Sequence, residues 1–146
     1  MLFILTNREK DDLVKKLADE GICIKDRRLC AIRLGLHFYS ICDYGLMLEY
    51  FSIADNMDSD WAGYYLGQIY YRGCGVDQNI DKAIEYLEKA LAKDFPDGYG
   101  LLIEIYKKKL QCVKLSDKDR DVLNKKILEV EKKWAIISQI SLKGRD

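Results

Sequence analysis

The sequence predicts an all-α fold, a short α-solenoid of about three antiparallel helical hairpins (an α/α superhelix) with a capping helix at each end. Three observations carry this. Apolar residues recur at helical spacing through most of the 146 residues. One helix–loop–helix segment returns in degenerate form at shifts of 32 and 36 residues. Helix-opening signatures stand near both ends of the chain.

Taken in chain order, the first element is an N-terminal capping helix within residues 1–25. Thr6 followed by Glu9 has the spacing of a capping box, and the helix is expected to stop near Gly21. A degenerate repeat covers 26–58, a clear one 60–94 and a partial one 96–112. In the clear repeat, Ala62, Leu66, Ile69, Tyr70 and Gly73 share one helical face. Gly73 and Gly75 break that helix. Ala83, Leu87 and Ala90 form the stripe of the next helix, widened by Ile84 and Leu91. The small residues Ala62, Gly67, Ala83 and Ala90 allow the two helices to approach closely.

A shift of 36 residues takes Ala62 to Gly98, Leu66 to Leu102 and Tyr70 to Tyr106. The same shift backwards takes Ala90 to Ala54, Tyr86 to Tyr50 and Glu85 to Glu49. The first helix instead maps back by 32, placing Leu66-Gly67 on Leu34-Gly35 and Tyr70 on Phe38. The earlier hairpin is therefore expected to lack about four loop residues where the later one has Gly73-Cys74-Gly75-Val76. Units of this length stack because none can bury its own apolar face. A C-terminal capping helix falls within 115–146, opened by Ser116 with Asp119 and running over about 117–141. Its narrow seam of Leu123, Ile127, Val130, Trp134 and Ile137 is expected to cover the open end of the solenoid, or else to pair with a second subunit as a homodimer.

Residues 62–90 resemble the Sel-one-like repeat, a tetratricopeptide-like α-solenoid family. The resemblance rests on Ala62, Leu66-Gly67, Tyr70, Gly73, Gly75-Val76, Asn79, Lys82-Ala83 and Lys89-Ala90. It extends in weaker form over about 26–112; the third unit keeps Leu102 and Tyr106 but loses the glycine loop. The resemblance implies an adaptor or scaffold that holds partner proteins on the concave face of the superhelix. Some secreted relatives are disulfide-rich and carry a cysteine after the second Lys-Ala. Leu91 stands there in this chain, which sets it apart from that subtype.

The bulk composition agrees with a folded domain. It is 49% hydrophobic and 33% charged with one proline, which excludes a disordered chain. Net charge is zero, so charge alone argues for neither a nucleic-acid nor a membrane partner. Charge is uneven along the chain, with a net of −3 over residues 1–60 and +4 over 104–133. Lys107, Lys108 and Lys109 form the one tight basic run and are expected to complement a helix dipole. The five cysteines (Cys23, Cys30, Cys42, Cys74 and Cys112) contain no C-x-x-C pair. Cys30, Cys42 and Cys112 are expected in helices, as small apolar side chains. Five apolar residues at the N-terminus are too few for a signal peptide, and no stretch approaches transmembrane length. These features lead to an expectation of a cytoplasmic protein with reduced thiols.

No catalytic, metal-binding or cofactor motif is present: no nucleophile elbow, Walker loop, dinucleotide fingerprint or H-E-x-x-H. His37, the single histidine, is expected to be structural, leaving an enzyme built on His37 and nearby carboxylates as a remote alternative. The informative feature is aromatic. Trp61, Tyr64, Gln68 and Tyr71 form a second helical stripe, nearly opposite the repeat's core face. The equivalent residues are Leu29, Ile32, Leu36 and Tyr39 in the earlier helix and Asp97, Gly100, Glu104 and Lys107 in the later one. Leu29, Ile32 and Leu36 are expected to pack under the N-terminal helix.

The expected partner-binding face on the concave side comprises Trp61, Tyr64, Gln68, Tyr71, Arg72, Tyr39, Glu104 and Lys107. Tyrosine and tryptophan suit a protein interface because they offer large area at low entropy cost. The expected partner is another protein, not nucleic acid or membrane. A narrower alternative is a stand-alone inhibitor or immunity protein for a cognate bacterial toxin or enzyme.

Overall fold

Thr6 opens the first helix through the predicted capping box. Its hydroxyl accepts from Glu9 N–H at 3.3 Å, and Glu9 Oε2 accepts from Thr6 N–H at 2.8 Å. The computed structural model describes residues 3–92, 96–112 and 114–143, with side chains as far as Ile140. Among these residues are seven helices and no strand: α1 (Asn7–Ala18), α2 (Ile24–Ser40), α3 (Tyr44–Asn56), α4 (Asp60–Arg72), α5 (Ile80–Leu91), α6 (Gly98–Leu110) and α7 (Asp117–Lys143). Each helix packs on the next in chain order. The fold is thus a short helical solenoid of three hairpins, α2/α3, α4/α5 and α6/α7, with α1 laid on the first.

Local chemistry explains most helix starts. Asp43, Ser59 and Asn79 each accept a hydrogen bond from a backbone N–H three residues on, at 3.2, 3.2 and 2.9 Å. Ser116 does the same for Asp119 N–H at 3.2 Å. α4 ends on Gly73 in the left-handed conformation, φ 72°. Gly75 shares that φ and lies so close to the start of α3, in the preceding hairpin, that an added Cβ would overlap the Tyr44 side chain. The α2–α3 connection spans 41–43 and the α4–α5 connection 73–79, which is the four-residue difference expected from the two shifts.

The Leu-Gly pairs mark where the helices of a hairpin touch. A Cβ on Gly35 would lie 2.8 Å from the Phe51 ring, and one on Gly67 would lie 2.7 Å from Leu87 Cγ. Around these crossings Leu34, Phe51, Leu66, Ile69, Ala83, Leu87 and Ala90 are almost wholly buried. Full burial of each leucine, isoleucine or phenylalanine contributes about 1.5–3 kcal/mol before chain entropy is set against it.

At the far end, Leu123 and Ile127 of α7 are buried and Val130 half-buried, against a cluster that includes Leu87, Leu102, Ile105 and Tyr106. The first half of the predicted seam covers the solenoid end. At 1.5 Å per residue α7 is about 40 Å long and α6 about 20 Å, so α7 continues past the start of its neighbour.

Three expectations are corrected. Cys42 and Cys112 lie just beyond α2 and α6 rather than within helices, and both are exposed. Cys42 takes φ 60° in the tight α2–α3 turn. Cys30 alone of the three behaves as an apolar core residue, and burial pushes its thiol pKa up. Leu29, expected beneath the N-terminal helix, is 54% exposed: α1 reaches as far as Arg27, whose Nε donates to the Leu17 carbonyl at 2.9 Å, but Leu29 stands on a side of α2 that α1 does not cover. Ile32 is buried and Leu36 half-buried, and Leu17 of α1 packs on the same cluster.

Candidate partner-binding face

The first helix of each hairpin, α2, α4 or α6, contributes to one face. α4 lies in the middle and carries most of its aromatic rings. Its start, set by the Ser59 cap, places Trp61 on the first turn with 45% of its surface exposed. The Trp61 ring stacks on Tyr65 at 6.4 Å between centroids. Tyr65 in turn stacks on Phe51 at 5.0 Å, meets Tyr64 edge-on at 5.5 Å and tilts toward Tyr39 of α2 at 6.5 Å. Tyr65 is therefore the hub of the row, and sequence reasoning missed it. The usable signal was the i, i+4 spacing from Trp61, which places the two on adjacent turns of one helix.

Polar contacts continue the row across helices. Gln68 Nε2 donates to Tyr64 Oη at 2.7 Å. Arg72 Nη1 donates to Tyr39 Oη on α2 at 3.4 Å. Tyr71 Oη donates to Glu104 Oε1 on α6 at 2.9 Å, while Lys108 Nζ stands 4.8 Å above the Tyr71 ring centroid. Lys107 Nζ pairs with Glu131 of α7 at 2.9 Å. Burial raises the pKa of the Tyr71 hydroxyl, and the hydrogen bond to Glu104 adds to the effect. Burial, then the charge of Asp97, raises that of Tyr64; Gln68 and Arg72 oppose the rise.

All eight predicted residues thus fall on this face or its α6 edge. Sequence reasoning separated them too sharply from the core. Tyr64 and Tyr71 are half-buried against the cluster that holds Leu87 and Leu102, so one side of each ring is structural. The α6 end holds a further surprise. Gly100, the counterpart of Tyr64, leaves room that the Trp134 indole of α7 occupies; a Cβ at Gly100 would lie 3.7 Å from that ring. The aromatic character lost from α6 is returned by a residue 34 positions later.

Two depressions flank the row. One of about 410 Å³ lies between the first two hairpins, against Phe3, Leu36, Tyr39, Tyr44 and Tyr65. The other, about 640 Å³ and open, lies between α4 and α6 against Tyr71, Gly100, Glu104, Lys107 and Lys108.

His37 belongs to neither depression. It is 6% exposed, and its Nδ1 accepts from Leu5 N–H at 3.1 Å, tying the N-terminal segment to α2. Among the described residues, no group of three or more histidine, cysteine, aspartate or glutamate side chains could hold a metal ion. No described helix is long and apolar enough to cross a membrane. Comparison with protein-family models, curated proteins and solved structures finds no match to this chain.

Proposed function

We propose that the chain is a protein–protein interaction module, an adaptor or scaffold that docks a partner protein on the face shared by α2, α4 and α6. One observation carries this reading: rings and polar groups of three helices line one face, with Tyr65 as the hub of its rings and Trp61 45% exposed beside it. Interface energy concentrates in such aromatic anchors when polar neighbours surround them. The resemblance to the Sel-one-like repeat supports the same reading. Leu66-Gly67 sits at a helix crossing, Gly73 ends α4, and Asn79 caps α5, which are structural roles suited to the motif. The proposed setting is the cytoplasm, where the five free thiols would stay reduced.

Affinity capture from the source organism, read by mass spectrometry, tests the proposal. The wild-type chain is expected to retain a specific partner that the Trp61→Ala, Tyr71→Ala double variant loses, with the helical circular dichroism of both unchanged. Undiminished capture by the folded double variant would overturn the reading.

A second reading concerns assembly. Ile136 and Ile140, one turn apart in the part of α7 that runs past α6, are 59% and 64% exposed. We infer a site for self-association of two chains there. Sedimentation at micromolar concentration should show dimer, and a purely monomeric protein would remove this reading.

A further inference from the structure

The face contains two cations without a carboxylate partner among the described residues. Arg72 makes one hydrogen bond, to Tyr39 Oη at 3.4 Å. A guanidinium has five N–H donors, so most remain available. Tyr39 Oη accepts in that contact, which leaves its own O–H free to donate outward. Lys108 sits over the Tyr71 ring at 4.8 Å and, among the described residues, enters no ion pair. Of the nearby carboxylates, Glu104 accepts from Tyr71 and Glu131 pairs with Lys107, while the charge of Asp97, at the start of α6, acts on Tyr64 and Tyr65. Tyr71 thus has Arg72 beside it in α4 and Lys108 above its ring from α6. Cations near aromatic rings are held without neutralisation, because the ring quadrupole attracts but carries no charge.

We propose that Arg72 and Lys108, grouped about Tyr71 and assisted by the Tyr39 hydroxyl, receive carboxylate side chains, so that the segment docked on this face is an acidic stretch of the partner protein. The inference rests on the docking role given above and adds its chemistry. A planar guanidinium matches a carboxylate through two parallel hydrogen bonds, and the lysine supplies a second positive point on the neighbouring helix. The rings of Trp61, Tyr64 and Tyr65 receive the apolar side chains interspersed in that segment.

The test uses the full chain and a soluble peptide of repeated glutamate–alanine–leucine units, blocked at both ends. A peptide with glutamine in place of glutamate and a single-stranded oligouridylate serve as comparisons. The readout is NMR of the arginine Nε–H and tyrosine ring signals during titration. The glutamate peptide should give saturable shifts at Arg72, Tyr39 and Tyr71 that weaken as salt rises. The Arg72→Gln, Lys108→Gln double variant should bind it about tenfold more weakly while keeping its fold, because both side chains lie at the surface.

Equal binding of the glutamine peptide would overturn the acidic specificity while leaving the docking face standing. Tighter binding of oligouridylate would overturn the choice of partner class. Absence of saturable shifts with the glutamate peptide, or undiminished binding by the folded double variant, would overturn the carboxylate receptor itself. Failure of the docking role reads out separately, as partner capture that survives loss of Trp61 and Tyr71.

Discussion

The first two hairpins and the third are closed by different physics. In α2/α3 and α4/α5, a glycine after leucine lets the second helix press against the first, and Phe51 or Leu87 fills the place of a side chain. In α6/α7 the equivalent of Gly67 is Ile103, itself buried, so the backbones cannot meet in the same way. Polar contacts supply part of the closure there. The Tyr106 hydroxyl donates to Glu88 of α5, and Lys126 of α7 pairs with the same carboxylate at 2.8 Å. Arg120 donates to the carbonyls of Leu110 and Cys112 at 2.8 and 3.0 Å, satisfying the end of α6. Trp134 then lies over Gly100. Glycine crossings give tight, apolar hairpins, whereas the third hairpin has a looser crossing with titratable groups in its seams.

The largest expected effect tests the tight crossing. Gly67→Val places atoms where Leu87 already sits, and overpacking should cost about 3 kcal/mol in urea unfolding. A stability loss well under 1 kcal/mol would show that α4 and α5 can slide apart freely. Next comes the polar closure. Tyr106→Phe removes a half-shielded hydrogen bond to Glu88 and should cost about 1 kcal/mol.

The same carboxylate gives the third hairpin an acid sensitivity. Burial on its own would raise the Glu88 pKa, but hydrogen bonds from Lys126 and Tyr106 outweigh it and hold the group below its ordinary 4.5. A depressed folded-state pKa stabilises the fold above the unfolded value, and the contribution is lost as pH falls through the folded one. In a Trp61→Phe background, Trp134 fluorescence should therefore begin to change below about pH 4.5. Glu88→Gln should flatten that response. An unchanged acid response in the glutamine variant would assign the sensitivity to other carboxylates, such as Glu9 in its capping box.

The smallest effect has the opposite sign. Gly100 is helical, and an added Cβ would make ordinary contact with Trp134 at 3.7 Å. Gly100→Ala should stabilise by about 0.5–1 kcal/mol, mainly by restricting the unfolded chain. Loss of stability instead would show that the indole cannot yield and that Gly100 is held as tightly as Gly67.

Much of the fold was legible in the residues because it is local. Thr6, Ser59, Asn79 and Ser116 cap the helices they precede, and Gly73 stops the one it follows, through bonds spanning a few residues. The two shifts located both hairpin loops because insertions change spacing without changing the helices around them. The aromatic row was legible in part. Helical spacing placed Trp61, Tyr64 and Tyr71 on one side of α4, but spacing within a helix does not tell which neighbour covers a ring. Leu29 was misplaced for the same reason, since spacing within α2 does not tell which of its sides α1 covers.

By itself, then, the sequence determined the helical class, the order of hairpins, the caps and the glycine crossings. Each follows from backbone geometry or from side chains within one or two turns. Only the tertiary structure decided that Tyr65 is the hub of the row, that Tyr71 bonds Glu104 across 33 residues, and that Trp134 fills the space at Gly100. Those outcomes depend on residues far apart in the chain meeting at packed interfaces, where shape and exposed area, rather than periodicity, select the partner.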